Sequence, residues 1–255
     1  MRFSVLGSGS RGNSVYIESK TTGILIDAGF SGKMIEKRLL AIDRNLESVR
    51  GICLTHEHND HIQGAGVLSR RCRMPAYANV GTFRAGEKKM GKLFKRCEFD
   101  TGDAVQIGDL QIRSFRISHD TVDPVGYVVS DGTESLGYLT DTGKVSHLIR
   151  TRLASCSGLI LEFNHNLEML KNGPYPLPLQ QRVRSSRGHL SNEDGADFLA
   201  GLIGDELKLV VLAHLSETNN SPDLAKKAAL QSVRQWGDTT LHIASQDTPS
   251  QLFEL

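Results

Sequence analysis

The sequence predicts an α/β protein made of two mixed sheets covered by helices. Three observations predict it. Short apolar runs alternate with helix-periodic stretches along all 255 residues. Many of those runs stop at Gly, Ser or Asp, where a strand gives way to a loop. The second half repeats the element order of the first. A single domain, 1–255, of two pseudo-repeat halves (about 1–123 and 124–255) is therefore expected, with no linker or low-complexity tract.

The elements follow in order. Arg2–Leu6, Val15–Ile17 and Gly23–Ile26 read as strands. Ser31 is an N-cap for a helix over Lys33–Ile42, with Met34, Ile35, Leu39 and Leu40 at helical spacing. Gly51–Leu54 is a buried strand, and a helix over His61–Arg71 leaves it. Ala76–Tyr77 is a short strand and Thr82–Phe94 a helix. Val105–Ile117 holds a strand pair turned at Gly108-Asp109. Val125–Ser130 and Leu136–Thr140 flank Asp131-Gly132, a hairpin signal. A helix over Val145–Ala154 leads to a strand, Leu159–Phe163. Asn172–Leu179, with Pro174, Pro176 and Pro178, reads as loop. Asn192–Ile203 is a capped helix, Leu207–Leu212 a strand and Leu224–Trp236 a helix. Strands near Leu241–Ala244 and Leu252–Leu255 follow.

Composition narrows the partners. With 30 basic and 29 acidic residues the net charge is +1, so any nucleic-acid affinity must come from local patches. Arg84, Lys88, Lys89, Lys92, Lys95 and Arg96 form one such stretch against Glu87, with a solvated helix face as the competing reading. Arg182, Arg184 and Arg187 form another. No window approaches the ~18 apolar residues of a membrane span. The N-terminus lacks the pattern of a secretory signal. A cytoplasmic protein without membrane partners is expected, with Cys53, Cys72, Cys97 and Cys156 reduced. Cys53, inside an apolar run, reads as a packed core thiol rather than a nucleophile.

The densest chemistry is Thr55-His56-Glu57-His58-Asn59-Asp60-His61, directly after the strand Gly51–Leu54. His56 and His58 are two apart, so in extended chain they project to one side. Asp60 and His61 follow where a helix would begin and turn back toward the same point. Neutral imidazoles with a carboxylate suit Zn²⁺ or a similar divalent ion. The competing reading is a solvated histidine-rich loop. Three further residues stand where strands become loops: His119 in Ser118-His119-Asp120, Asp141 in Leu139-Thr140-Asp141-Thr142-Gly143, and His214 after Lys208–Ala213. Each alone reads equally as an ordinary hydrogen-bonded side chain.

With these motifs the chain resembles the metallo-β-lactamase-fold hydrolases, from Leu25-Ile26-Asp27-Ala28-Gly29 to the C-terminal strands. The resemblance implies a four-layer αββα sandwich. Leu6-Gly7-Ser8-Gly9-Ser10-Arg11-Gly12-Asn13-Ser14, Gly188-His189-Leu190-Ser191-Asn192 and His214-Leu215-Ser216 resemble the YycJ (WalJ) subgroup. That likeness implies a metal-dependent phosphodiesterase, a 5′-to-3′ DNA exonuclease. It also implies two divalent ions, Zn²⁺ or Mn²⁺, and no organic cofactor. His56, His58 and His119 would hold one ion, Asp60, His61 and His214 the other, and Asp141 would bridge them. Asp27 matches the family's first motif and would orient the histidine loop, or it is a turn-forming Asp. Gly188-His189 resembles the histidine motif of RNase J-type nucleases, whose His meets the scissile phosphate and protonates the leaving oxygen. Glu162 resembles the acid that orients it, although the large β-CASP insertion is absent. The implied mechanism is in-line attack by a hydroxide bridging the ions, with Asp60 handling its proton and His189 acting as the acid.

Substrate contacts are expected from Ser10, Asn13 and the backbone N–H groups of their glycine-rich loop, and from Arg184, Arg187 and His165. His147 and His242 read as structural. A small-molecule hydrolase acting on a cyclic phosphodiester or thioester is the alternative, and a non-catalytic metal-stabilised module a third.

Overall fold

The structure, a computed structural model, describes residues 1–204, 206–233 and 237–255. Its first stretch runs β1 (Arg2–Gly7), β2 (Ser14–Glu18), β3 (Gly23–Ile26), α1 (Gly32–Leu40), β4 (Val49–Cys53), α2 (Asn59–Ile62), α3 (Ala65–Cys72), β5 (Pro75–Asn79), α4 (Val80–Met90) and β6 (Lys95–Phe99). The second runs β7 (Ala104–Ile107), β8 (Leu110–Arg116), β9 (Val125–Ser130), β10 (Ser135–Leu139), α5 (His147–Leu153), β11 (Gly158–Glu162), α6 (Leu167–Asn172) and α7 (Leu177–Val183). It continues with α8 (Asn192–Ala200), β12 (Leu209–Ala213), α9 (Pro222–Ser232), β13 (Thr240–Ile243) and β14 (Phe253–Glu254).

The strands form two seven-stranded sheets, ordered β14-β1-β2-β3-β4-β5-β6 and β13-β12-β11-β10-β9-β8-β7. In the first sheet β14 to β3 are antiparallel and β3 to β6 parallel; in the second, β7 to β10 are antiparallel and β10 to β13 parallel. β3 pairs parallel with β4, and β10 with β11. The central strands are buried on both faces because alternate side chains enter different cores. In β2, Val15 and Ile17 pack between the sheets while Tyr16 faces the helices. In β11, Ile160 faces the other sheet and Leu159 and Leu161 face helices. One apolar layer thus lies between the sheets and one under each helical face, giving the expected four-layer sandwich. Each fully buried Leu, Ile or Phe contributes about 1.5–3 kcal/mol.

Several boundaries differ from expectation. The helix expected over His61–Arg71 is two pieces, α2 and α3. Gly64 sits between them with its N–H on the Ala28 carbonyl, and a Cβ there would strike the Phe30 carbonyl. The helix over Thr82–Phe94 stops at Met90, because Gly91 takes φ +64°. Lys95–Phe99 is then a strand, which splits the first basic stretch between two elements. The Asn172–Leu179 loop instead ends in a helix. Pro176 is the N-cap of α7, and a proline in the first turn costs no hydrogen bond. In α1, Ile35 and Leu39 are buried but Met34 and Leu40 are exposed. The end of the helix expected to reach Trp236 lies outside the described residues. The sheets divide between Phe99 and Ala104, not near residue 123, and β14 crosses back beside β1. Among the described residues, no helix is long and apolar enough to cross a membrane.

Candidate metal centre

The centre lies where β3, β4, β10, β11 and β12 end. Asp27, just past β3, adopts φ +59°, a left-handed conformation that Asp tolerates better than most residues. Its Oδ1 accepts the Thr55 N–H at 2.8 Å, and its Oδ2 accepts Thr55 Oγ1 at 2.8 Å and His61 Nδ1 at 2.7 Å. It therefore fixes both ends of the histidine loop. The Thr55 hydroxyl, committed to Asp27, lies 3.0 Å from His56 Nδ1. His58 occupies the N-cap position of α2, and that single turn returns Asp60 and His61 to the cluster. The Asp60 carbonyl accepts the Asn13 N–H, and the His61 carbonyl accepts that of Ala28.

The later ligand candidates converge on the same point. His119 Nε2 lies 3.2 Å from His58 Nδ1 and 3.8 Å from Asp141 Oδ1. Asp141 Oδ2 lies 3.3 Å from His61 Nε2, and its Oδ1 3.5 Å from His214 Nε2. Asp60 Oδ2 lies 3.5 Å from His61 Nε2 and 4.0 Å from His214 Nε2. Asp141 and His214 also take left-handed backbone, φ +58° and +57°, and such strain persists only where the surroundings enforce it. Three histidines are oriented through Nδ1: His61 by Asp27, His119 by the Gly188 carbonyl at 3.2 Å, and His214 by Glu162 at 3.0 Å. Each then turns Nε2 to the cluster.

The donor set fits divalent cations. His56 Nε2, Asp141 Oδ2 and His214 Nε2 are buried without a hydrogen-bond partner, and an orphaned buried polar atom costs ~1–3 kcal/mol. Two imidazole nitrogens and a carboxylate oxygen left open together are what a cation satisfies. His56, His58 and His119 place one ligand atom each within 4.8 Å of one another, as do Asp60, His61 and His214, and His56, His61 and Asp141.

Charge divides the cluster in two. Burial, reinforced by neighbouring histidines, pushes His56 far below its ordinary pKa and lowers His58 and His119. These nitrogens stay neutral and ready to ligate. Burial also opposes charge on His61 and His214, but carboxylates outweigh it. Asp141, Asp27 and Asp60 hold His61 well above the ordinary range. Asp141, Asp60 and Glu162 raise His214 to about 10. In the metal-free chain, protons on His61 and His214 balance the acids, and a cation there displaces them.

His189 borders the cluster, with Nδ1 3.8 Å from Asp141 Oδ1, and forms a fourth group with Asp141, Glu162 and His214 whose ligand atoms lie within 4.8 Å of one another. Its Nδ1 lies 2.8 Å from Glu162 Oε1, the oxygen that also meets His214 Nδ1. Glu162 Oε2 accepts the Thr142 and Leu190 N–H groups. With both oxygens spent in this way, Glu162 positions two histidines. His189 lines a cavity of about 260 Å³ together with His58, Asp60, His119, Asp141 and His214.

The expected substrate residues are placed unevenly. Ser10 lines the cavity. Asn13 lies outside the cavity lining and its side chain is spent within the protein. Its Oδ1 accepts the Gly9 N–H, and its Nδ2 lies 3.0 Å from His61 Nε2 and 3.3 Å from Asp60 Oδ2. The loop's N–H groups are largely committed too: those of Ser8, Gly9, Arg11, Gly12 and Asn13 all bond within the protein. Arg187 lies outside the cavity lining and gives its Nε to the His119 carbonyl, while Arg184 is exposed beyond the rim. His165 is buried away from the cavity, its carbonyl accepting the Asn192 N–H. His147 is exposed, and His242 stacks on Phe253. Sequence reasoning missed Asp120. It lines the cavity, with Oδ2 held by Arg182 Nε at 2.6 Å and Oδ1 3.5 Å from His119 Nε2. Its one signal was an acid directly after a ligand candidate.

The model of the beta-lactamase superfamily domain matches residues 22–215. The chain belongs to the beta-lactamase superfamily. Within the superfamily it is 40% identical, over 263 aligned residues, to exodeoxyribonuclease WalJ of Streptococcus pneumoniae, covering 100% of this chain and 98% of that protein. It is 39% identical over 239 residues to exodeoxyribonuclease YycJ of Bacillus anthracis, covering 93% and 90%. The metallo-beta-lactamase fold protein YhfI of Bacillus subtilis shares the fold, with TM-score 0.76 and 17% identity over 98% of each chain. The superfamily match and the exodeoxyribonuclease relatives support a metal-dependent hydrolase, and the His and Asp side chains gathered at the cavity fit that chemistry.

Proposed function

We propose that the protein is a metal-dependent DNA exonuclease that removes nucleotides from the 5′ end. His189 carries the reading. It lies outside the two ligand groups, faces the cavity and is held through Nδ1 by a buried glutamate. A plain metal-binding module has no use for such a residue, whereas a phosphodiesterase needs an acid beside the leaving oxygen. The exodeoxyribonuclease relatives supply the polymer, and the polarity is the one the YycJ (WalJ) resemblance implies.

His56, His58 and His119 would hold one divalent ion and Asp60, His61 and His214 a second, with Asp141 available to both sets. The nitrogen-rich and carboxylate-rich sets accept Zn²⁺ or Mn²⁺. When bound, the ions lower the pKa of water and neutralise phosphoryl charge. Asp60 takes up the proton of the attacking water. His189 gives its proton to the departing 3′-oxygen, and Glu162 keeps the ring aimed and its Nδ1 protonated. The glycine-rich loop acts from behind, with Asn13 steadying Asp60 and His61 while Ser10 meets the substrate. Arg184 and Arg187 add positive charge near the rim. A cytoplasmic setting fits both the substrate and four free thiols.

The test is DNA labelled at the 5′ end, carrying 5′-phosphate or 5′-hydroxyl, with Mn²⁺ or Zn²⁺. The expected result is stepwise release of the 5′ label as mononucleotide, stopped by chelator. Release from the 3′ end overturns the polarity. Turnover of bis-p-nitrophenyl phosphate or a thioester without DNA cleavage favours the small-molecule alternative. His189→Ala should keep its metal and lose turnover, and loss of metal instead would make His189 a ligand.

A further inference from the structure

The cavity has two unlike walls. One is the histidine–aspartate cluster. The other carries Tyr175, Leu179, Val183, Leu215 and Asn219. Leu179 and Val183 lie four apart on α7 and so share one side of it, and Tyr175 joins them at the cavity from just before the helix. α7 buries none of its residues, so this apolar face is not a core face.

Asn219 is the telling member. It is 1% exposed, yet its Oδ1 has no hydrogen-bond partner. Its backbone is fixed: its N–H donates to Ser216 Oγ at 3.1 Å, and its carbonyl accepts the Asn166 N–H at 2.9 Å. The neighbouring Asn220 shows what a structural asparagine does here. Asn220 Nδ2 donates to the Phe163 and Asn164 carbonyls and to Asn192 Oδ1, and its Oδ1 accepts from Asn192 and Ser221. Gly173 lies beside the Asn219 oxygen, where a Cβ would crowd it. The fold thus places a buried carboxamide at the cavity and leaves its oxygen unused. A ligand that pairs with it recovers what its burial costs.

We propose that this wall is a nucleobase subsite, holding the base of the nucleotide whose phosphate reaches the metal cluster. The proposal rests on the DNA reading above. A carboxamide offers one donor group and one acceptor, the pairing that base edges present. Tyr175 supplies a stacking face, which tolerates any base. The cavity, about 260 Å³, sits below the ~300–1,000 Å³ of typical ligand pockets. It takes one nucleotide rather than a stacked run, which suits attack at a chain end.

The test is calorimetric binding to the metal-loaded protein of dAMP and dCMP against 2-deoxyribose 5-phosphate. The wild type should prefer the nucleotides by about tenfold or more, as one stacked base is expected to give. Tyr175→Ala and Asn219→Ala should each cut that preference severalfold. In cleavage, DNA with an abasic second position, whose 5′-phosphate is the one attacked, should release its first nucleotide more slowly with the wild type, and the two variants should shrink that gap. Equal binding of nucleotide and sugar phosphate by the wild type overturns the subsite. So does an unchanged preference in Tyr175→Ala, whose half-buried site makes folding secure if Asn219→Ala is unstable. The binding ratio decides the subsite by itself, and failure to degrade DNA overturns only the reading beneath it.

Discussion

Asp27 and Asp141 occupy matching places in the two sheets and do different work. Asp27 directly follows β3 and Asp141 follows β10 after Thr140, and each strand pairs in parallel with the next, β3 with β4 and β10 with β11. Ile26 lies opposite Cys53, and Leu139 opposite Leu161, so matching Asp27 with Asp141 matches Ile26 with Thr140 and, one residue past Leu161, Cys53 with Glu162. Both aspartates take left-handed backbone, and both are followed by a residue and then glycine. Neither glycine tolerates a Cβ, since Gly29 would strike the Asp60 carbonyl and Gly143 that of Ser185. Yet Asp27 spends its carboxylate on Thr55 and His61, whereas Asp141 keeps an oxygen unpartnered. The neighbouring strand end makes the difference. β4 feeds a loop of ligands that needs bracing, and β11 ends in Glu162, which braces His189 and His214 and leaves Asp141 free. One turn, used twice, yields both a metal-facing carboxylate and a supporting one.

Four experiments break or sharpen that division. The largest effect is expected from Asp141→Ala, which should reduce DNA cleavage to background and lower bound metal by elemental analysis. Full retained activity would remove Asp141 from the site. Asp27→Asn should cost ~10–100-fold in metal affinity and kcat/KM. A loss as complete as that of Asp141→Ala would erase the distinction between the two aspartates.

The third is pH. In metal-free protein His214 is raised from 6.5 to about 10: burial opposes its charge, but Asp141, Asp60 and Glu162 outweigh that opposition. The stability this proton contributes is fully present below pH 6.5 and is lost as pH rises through about 10. Melting temperatures in chelator should therefore fall toward pH 10. Metal-loaded protein should lose this trend, because the cation replaces the proton. The smallest effect is expected from Cys53→Ala, at the position matching Glu162. Its thiol is buried and pushed far up in pKa, so it is inert. Activity should be unchanged, with a cost of about 1 kcal/mol in denaturant unfolding.

The histidine loop was legible because four ligand candidates lie within six residues. His119, Asp141 and His214 were legible by residue type and by their place after strands. Contacts between distant residues left no such trace. Arg182 reaches Asp120 across 62 positions, and no periodicity announces that. Asn13 carried the right neighbourhood but the wrong partner. A glycine-rich loop after a strand looks like an anion cradle, and only the fold shows its N–H groups bonded elsewhere. The prolines before α7 misled because the same residues that stop a helix also start one.

The return of β14 to the first sheet has a consequence in time. The loop that places Asn13 against Asp60 and His61 is itself tied by Gln246, whose Oε1 accepts the Arg11 N–H and whose Nε2 donates to the Gly12 carbonyl. Ser250 then meets Val5, and Phe253 pairs with Phe3. Synthesis runs from the N-terminus, so ties across 234 and 235 positions leave this loop unheld until the segment around Gln246 has been made.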